Sequence, residues 1–191
     1  FIQGGGYTNP LLWLSDGWTA VNERSWDRPL YWSDDLQREF TLGGERELNP
    51  NAPVTHVSYY EADAFSRWAG ARLPTEAEWE SVARGSGRFK YPWGDAWDAS
   101  RVNWSGNTDT MLPVKSFQAN DRGYFDLAGS VTEWTSTDSA EENTGILKGG
   151  SRFDANVANF RLPVKRLEYL DYTGEDVGFR CARTVDEWPD E

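Results

Sequence analysis

Residues 58–84 read SYYEADAFSRWAGARLPTEAEWESVAR, and this stretch specifies two capped helices with a fixed corner between them. Ser58 with Glu61 three positions on is a capping box, in which each side chain closes a backbone donor that the first helical turn leaves open. Gly70 falls where that helix ends in a left-handed residue. Thr75 with Glu78 repeats the box at once. Between the two, Pro74 disfavours helical geometry at Leu73 and offers no N–H, so Arg72-Leu73-Pro74 forms an extended link. The prediction is two short helices meeting at a rigid corner.

Further motifs follow in a fixed order: YPWG at 91–94, LAGSVTEW at 127–134, KGGS at 148–151 and VGFRCAR at 177–183. With the helical pair they resemble the sulfatase-modifying-factor superfamily, which holds the formylglycine-generating enzymes and the C-terminal domain of ergothioneine sulfoxide synthases. The opening, with GGGY at 4–7, WLSDGW at 13–18 and PLYW at 29–32, is similar to members that include the ergothioneine branch. The resemblance implies an α+β, C-type-lectin-like fold: short twisted antiparallel sheets, two short capped helices and a high loop content. It implies a fold and not an activity. Members of this superfamily usually begin with a strand pair some 40 to 50 residues upstream of the position that Phe1 would take. The expectation is one domain over 1–191 without its first strands, and a companion N-terminal segment that covers the sheet edge they leave.

Composition narrows the function classes. A chain of 191 residues is long enough for one compact domain. Its 11 Trp, 8 Tyr and 9 Phe supply large apolar surfaces and argue against disorder. A formal charge of -12 repels nucleic acid and anionic membranes over most of the surface. No apolar run approaches the roughly 20 residues of a membrane helix, so no membrane insertion is expected. The single cysteine, Cys181, excludes an internal disulfide and leaves the compartment open, with a tilt toward the cytoplasm.

Along the chain, a helix is expected near residues 16–23, with Asp16 as its cap. Residues 85–120 read as loop with short strands, and so long a loop needs a bound ion or buried aromatic anchors to hold it. Strands are expected within 126–135, 145–152 and 177–183, the last with Val177, Phe179 and Cys181 alternating to one side. In that strand Cys181 reads as a buried small hydrophobe.

The chemistry that the resemblance would bring is tested residue by residue. Formylglycine-generating enzymes use a cysteine pair that binds copper shortly after the Gly-Gly-Ser motif, where thiolates suit a soft ion. The matching positions here hold Asp154 and Asn159, so neither that activity nor copper is expected. Ergothioneine sulfoxide synthases use iron held by three histidines in a separate N-terminal domain, and a tyrosine soon after the Glu-Trp motif. His56 is the only histidine, and 135–143 contains no tyrosine. His56 reads as a hydrogen-bonded structural residue, and iron is expected only if an upstream domain supplies its site.

Calcium is the more defensible ion. The resemblance implies a loop site with hard oxygen donors, matched here by Asn103, the Trp104 carbonyl and Asp109. A second family site is weakened by Ser130 and Thr132. The resemblance also places residues 152–175 on the concave, ligand-bearing face. Arg152, Phe153, Asp154, Asn156, Asn159, Arg161, Lys165, Arg166, Tyr169 and Tyr172 bring amide, guanidinium and aromatic groups there, a mixture suited to recognition of a protein or small molecule. Two readings stand: a non-catalytic ligand-binding domain, or the C-terminal substrate-binding part of a non-haem iron oxidoreductase.

Overall fold

The computed structural model describes residues 1–108 and 110–184. Helix α1 spans Ser15–Arg24, α2 spans Tyr59–Trp68 and α3 spans Glu76–Arg84. Both capping boxes form as read: Ser58 Oγ accepts from the Glu61 N–H while Glu61 receives the Ser58 N–H, and Thr75 with Glu78 does the same. Gly70 is left-handed at φ 63. The corner is locked further by Arg72, whose guanidinium grips both Glu78 carboxylate oxygens at 2.6 and 2.7 Å. Leu73 within it is fully buried. Helix α1 departs from the reading, since its N-cap is Leu14 without a side-chain cap bond. Asp16 instead sits in the first turn, where its charge meets the positive end of the helix.

Strands β1 (Arg38–Thr41) and β2 (Gly44–Glu47) form a hairpin that the sequence reading did not assign. Its alternation carries mostly charged side chains and little apolar signal, which is why pattern alone passes over it. The main sheet contains β3 (Thr132–Asp138), β4 (Thr144–Lys148), β5 (Lys165–Tyr169) and β6 (Val177–Phe179) in the order β5-β4-β3-β6. It is mixed, because β3 and β6 run parallel through Thr132 to Val177 and Trp134 to Phe179. The expected all-antiparallel sheet is therefore corrected: the chain crosses over from β5 to the far side of β3 instead of turning back in a hairpin.

Strand β6 also stops at Phe179, earlier than expected, and Cys181 is exposed. Beyond Phe179 the chain leaves β3 and pairs through Ala182 with Arg72, so the alternation that would have buried Cys181 is broken. Its thiol lies 3.4 Å from Ser66 Oγ.

The helices pack on one another and on the sheet. Gly17 of α1 lets that helix close on Tyr60 of α2, where an added Cβ would come within 2.9 Å of the ring. Trp134 at the sheet centre is fully buried, with Tyr59 packed edge-on at 5.8 Å. The long loop 85–131 is held by aromatic anchors, as expected of one of the two alternatives. Tyr91, Trp93, Trp97 and Trp104 pack successively and meet Phe160.

A buried polar hub joins these parts. Glu133 on β3 accepts from Arg180 Nη2 at 2.6 Å, from Arg180 Nε, and from Trp79 Nε1 of α3 at 2.7 Å. Arg180 also donates to the Phe125 and Asp126 carbonyls. Replacing Glu133 by Ala leaves a guanidinium largely buried without its counter-charge, and the expected loss is about 3–5 kcal/mol, read from urea unfolding. At the helical corner the Arg72 guanidinium, with the Thr75 N–H, lowers the Glu78 pKa from 4.5 to about 2. A depressed carboxylate stabilises the fold above its unfolded pKa and stops doing so as pH falls through the folded one. Hence the melting-temperature difference between the protein and its Glu78→Gln variant should be full above pH 4.5 and vanish as pH falls through about 2.

Candidate functional site

The KGGS motif ends β4 and turns the chain through Gly149 and Gly150, at φ 99 and 66, into the 151–164 loop. Gly150 lies against Phe160, where an added Cβ would come within 2.9 Å. The turn brings Asp154 and Asn159 beside the end of the sheet, in a cleft of about 250 Å³ with Thr132, Leu147, Lys165 and Arg166. Asp154 Oδ2 accepts from the Ser151 N–H at 2.7 Å, and its Oδ1 accepts from Asn159 Nδ2. Asp154 and Asn159 thus satisfy one another.

The other residues expected on this face are distributed. Arg152 is buried, stacks on Phe153 at 3.9 Å and donates to Glu175 at 3.1 Å. Lys165 bonds Glu76 of α3 at 3.2 Å. Arg166 pairs with Asp176 and lies 5.5 Å from the Tyr172 ring. Burial, followed by the negative charge of Asp176, pushes the Tyr172 phenol up. Each of these three cations meets a carboxylate: Glu175 at the segment's end, Glu76 of α3, and Asp176 just before β6. Phe153 and Tyr169 are exposed at 45% and 63%, and Asn156 and Arg161 are exposed outside the cleft. Asn156 accepts from the Ala158 N–H and starts a short helical turn, Val157–Phe160.

Four cleft-lining residues, Thr132, Leu147, Gly149 and Gly150, lie outside the 152–175 segment. The KGGS motif is the signal that could have found them, because two successive left-handed glycines bend the chain around a concavity.

The Thr173 carbonyl accepts from His56 Nδ1 at 3.1 Å, in keeping with its structural reading. At the expected calcium site Asn103 is fully buried, and its Nδ2 donates to the Thr110 carbonyl. Its Oδ1 is buried without a hydrogen-bond partner, so this oxygen fits a hard cation. The Trp104 carbonyl accepts from the Asn107 and Thr108 N–H groups, and Asp109 lies outside the described residues. Among the described residues no three His, Cys, Asp or Glu side chains gather as a metal-binding group.

Residues 1–185 match the model of the sulfatase-modifying factor enzyme 1-like domain. The chain belongs to this family. A hercynine oxygenase of Mycolicibacterium thermoresistibile is 39% identical over 145 residues, covering 72% of this chain and 32% of that protein. A formylglycine-generating enzyme of Streptomyces coelicolor is 35% identical over 203 residues, covering 88% and 61%. An inactive Cα-formylglycine-generating enzyme 2 of Bos taurus is 32% identical over 200 residues, covering 95% and 62%. The chain therefore spans from about a third to three fifths of the length of these relatives. Among solved structures, PvdO from Pseudomonas aeruginosa superposes with a TM-score of 0.65 at 22% identity, covering 88% of this chain and 77% of that one. Treponema denticola variable protein 1 does so with 0.60 at 19%, covering 75% and 74%. The α+β, C-type-lectin-like fold is that of this family. Among the described residues no helix is long and apolar enough to cross a membrane.

The cleft's geometry depends on Asp154. Asp154→Ala strands the Ser151 N–H and the Asn159 amide in a half-buried loop, and the expected cost is about 1–3 kcal/mol in chemical unfolding.

Proposed function

We propose that this chain is a non-catalytic recognition domain that binds a protein or small-molecule ligand on the face built from residues 152–175, stiffened by one calcium ion. The observation that carries this reading is the Asp154–Asn159 pair. Where formylglycine-generating enzymes need two thiolates, this chain has a carboxylate and an amide bonded to each other. Neither group is a soft-metal ligand or a sulfur nucleophile. Around the pair lie a polar cleft and, next in sequence, the exposed ring of Phe153, groups that bind by stacking and hydrogen bonding. The similarity to a relative named as inactive supports the same reading.

Calcium would be held at Asn103 Oδ1, the Trp104 carbonyl being already taken by the Asn107 and Thr108 N–H groups, and would supply charge and rigidity to the 85–131 loop. The orphaned Asn103 oxygen supports it.

The second reading makes this chain the C-terminal, substrate-binding part of a hercynine-oxygenase-like iron enzyme whose metal site lies outside it. The 39% identity to such a relative, over only 32% of that relative's length, favours it. One set of measurements separates the two. Elemental analysis of the polypeptide as its native gene encodes it should find about one calcium and no stoichiometric iron. A chelator should lower the melting temperature, and hercynine should cause no oxygen uptake. Stoichiometric iron with hercynine-dependent oxygen uptake would establish the second reading.

A further inference from the structure

The four-stranded sheet has two edges. At one, β6 borders an apolar groove of about 540 Å³ walled by Ile2, Trp32, Val57, Phe65 and Phe179, and the Val54 carbonyl crosses close to Gly178. At the other lies β5, which pairs antiparallel with β4 through all of Lys165–Tyr169. Among the described residues no strand, isolated bridge or backbone hydrogen bond reaches the side of 165–168 that faces away from β4. Lys165 and Tyr169 are exposed, and the three residues between them are half-buried. Backbone groups of alternate residues in a strand point to opposite sides, so about half of those in β5 are left for water or for a partner outside the chain.

Edge strands are commonly blunted by charge. The order of charges in β5 does the reverse. An antiparallel copy of KRLEY, centred on Leu167, sets Arg166 opposite Glu168, Lys165 opposite Tyr169, and Leu167 opposite Leu167. Every cross-strand pair is then favourable: opposite charges, an ammonium against a ring, and an apolar pair at the centre. Within one chain Arg166 already reaches Glu168 on the same face at 3.4 Å, so four charges of alternating sign would meet across the pair. The surroundings favour the same occupant. Two copies of formal charge -12 repel one another over most of their surface. Segment 161–172 instead sets Arg161, Lys165 and Arg166 against Glu168 and Asp171, three cations less two anions, for a net +1. Here two copies can approach without that repulsion.

We propose that two copies of this chain associate through β5 about a two-fold axis, joining their four-stranded sheets edge to edge. The interface is self-complementary because each Arg166 faces the other copy's Glu168. Two five-residue edges bury less than the roughly 1,600 Å² of a standard interface, so the dimer is weak, with a dissociation constant on the order of 10 to 100 µM. This inference does not rest on the reading of the cleft, since a domain that binds nothing at Asp154 can still pair at its edge.

Sedimentation velocity of the polypeptide that the native gene encodes, from about 1 to about 200 µM, should show association over that range. Glu168→Arg places a cation opposite Arg166, and Arg166→Glu places a carboxylate opposite Glu168. Each variant alone should associate at least tenfold more weakly. An equal mixture of the two restores opposite charges at every pair and should associate as tightly as the unaltered protein. Arg166→Glu also takes the partner from Asp176, so urea unfolding checks that it folds. A readout that needs no variant is amide hydrogen exchange at 165–169, which should slow at least twofold between the same two concentrations. A monomer throughout the range would overturn the proposal, as would association that Glu168→Arg leaves unchanged. So would edge amides whose exchange ignores concentration, or folded variants whose mixture fails to associate.

Discussion

The structure depends on Glu133 more than on any other polar residue. Its carboxylate is buried between β3 and α3 and is satisfied by Arg180 and Trp79. Such a group is tolerable only when its partners are all in place, since an unpaired buried charge costs several kcal/mol. Those partners come from residues 54 positions upstream and 47 downstream, so the hub forms only when helix, central strand and chain end are in register. Through the Arg180 bonds to the Phe125 and Asp126 carbonyls it also anchors the end of the long loop. The glycine turn that forms the Asp154 cleft starts directly from this framework, because Lys148 of β4 pairs with Glu133 in the sheet.

That arrangement separates scaffold from site. The residues most conspicuous in the sequence, the capping boxes and the Glu-Trp and Gly-Phe-Arg motifs, are used in caps, the hub and the core. The cleft lies in the loop carried by that framework, where Asp154 and Asn159 bond each other. The hub and the Asp154–Asn159 pair share no residue, so the scaffold does not depend on the chemistry of the cleft.

Much of the fold was legible because its signals are local. Ser58, Glu61, Gly70, Pro74, Thr75 and Glu78 each act within four residues, and all took the predicted roles. The errors lie where a partner distant in sequence decides. Alternation with Val177 and Phe179 predicts a buried Cys181, but the Arg72–Ala182 pairing draws the strand off the sheet before position 181. Within 152–175, Arg152, Lys165 and Arg166 meet Glu175, Glu76 and Asp176, partners that only folding brings to them.

The sequence by itself determined the family, the two capped helices with their corner, and the absence of the thiols that one family reaction requires. These follow from residue identity and from interactions within a few positions. Only the tertiary structure decided that the sheet is mixed, that Asp154 and Asn159 satisfy each other, and that the edge of β6 borders an apolar groove. Strand order joins segments about 45 residues apart, such as Thr132 and Val177, and groove walls come from segments more than 100 apart, such as Ile2 and Phe179. Their meeting is set by the summed burial of aromatic surface and by pairing of the Glu133 carboxylate, and no short pattern encodes either.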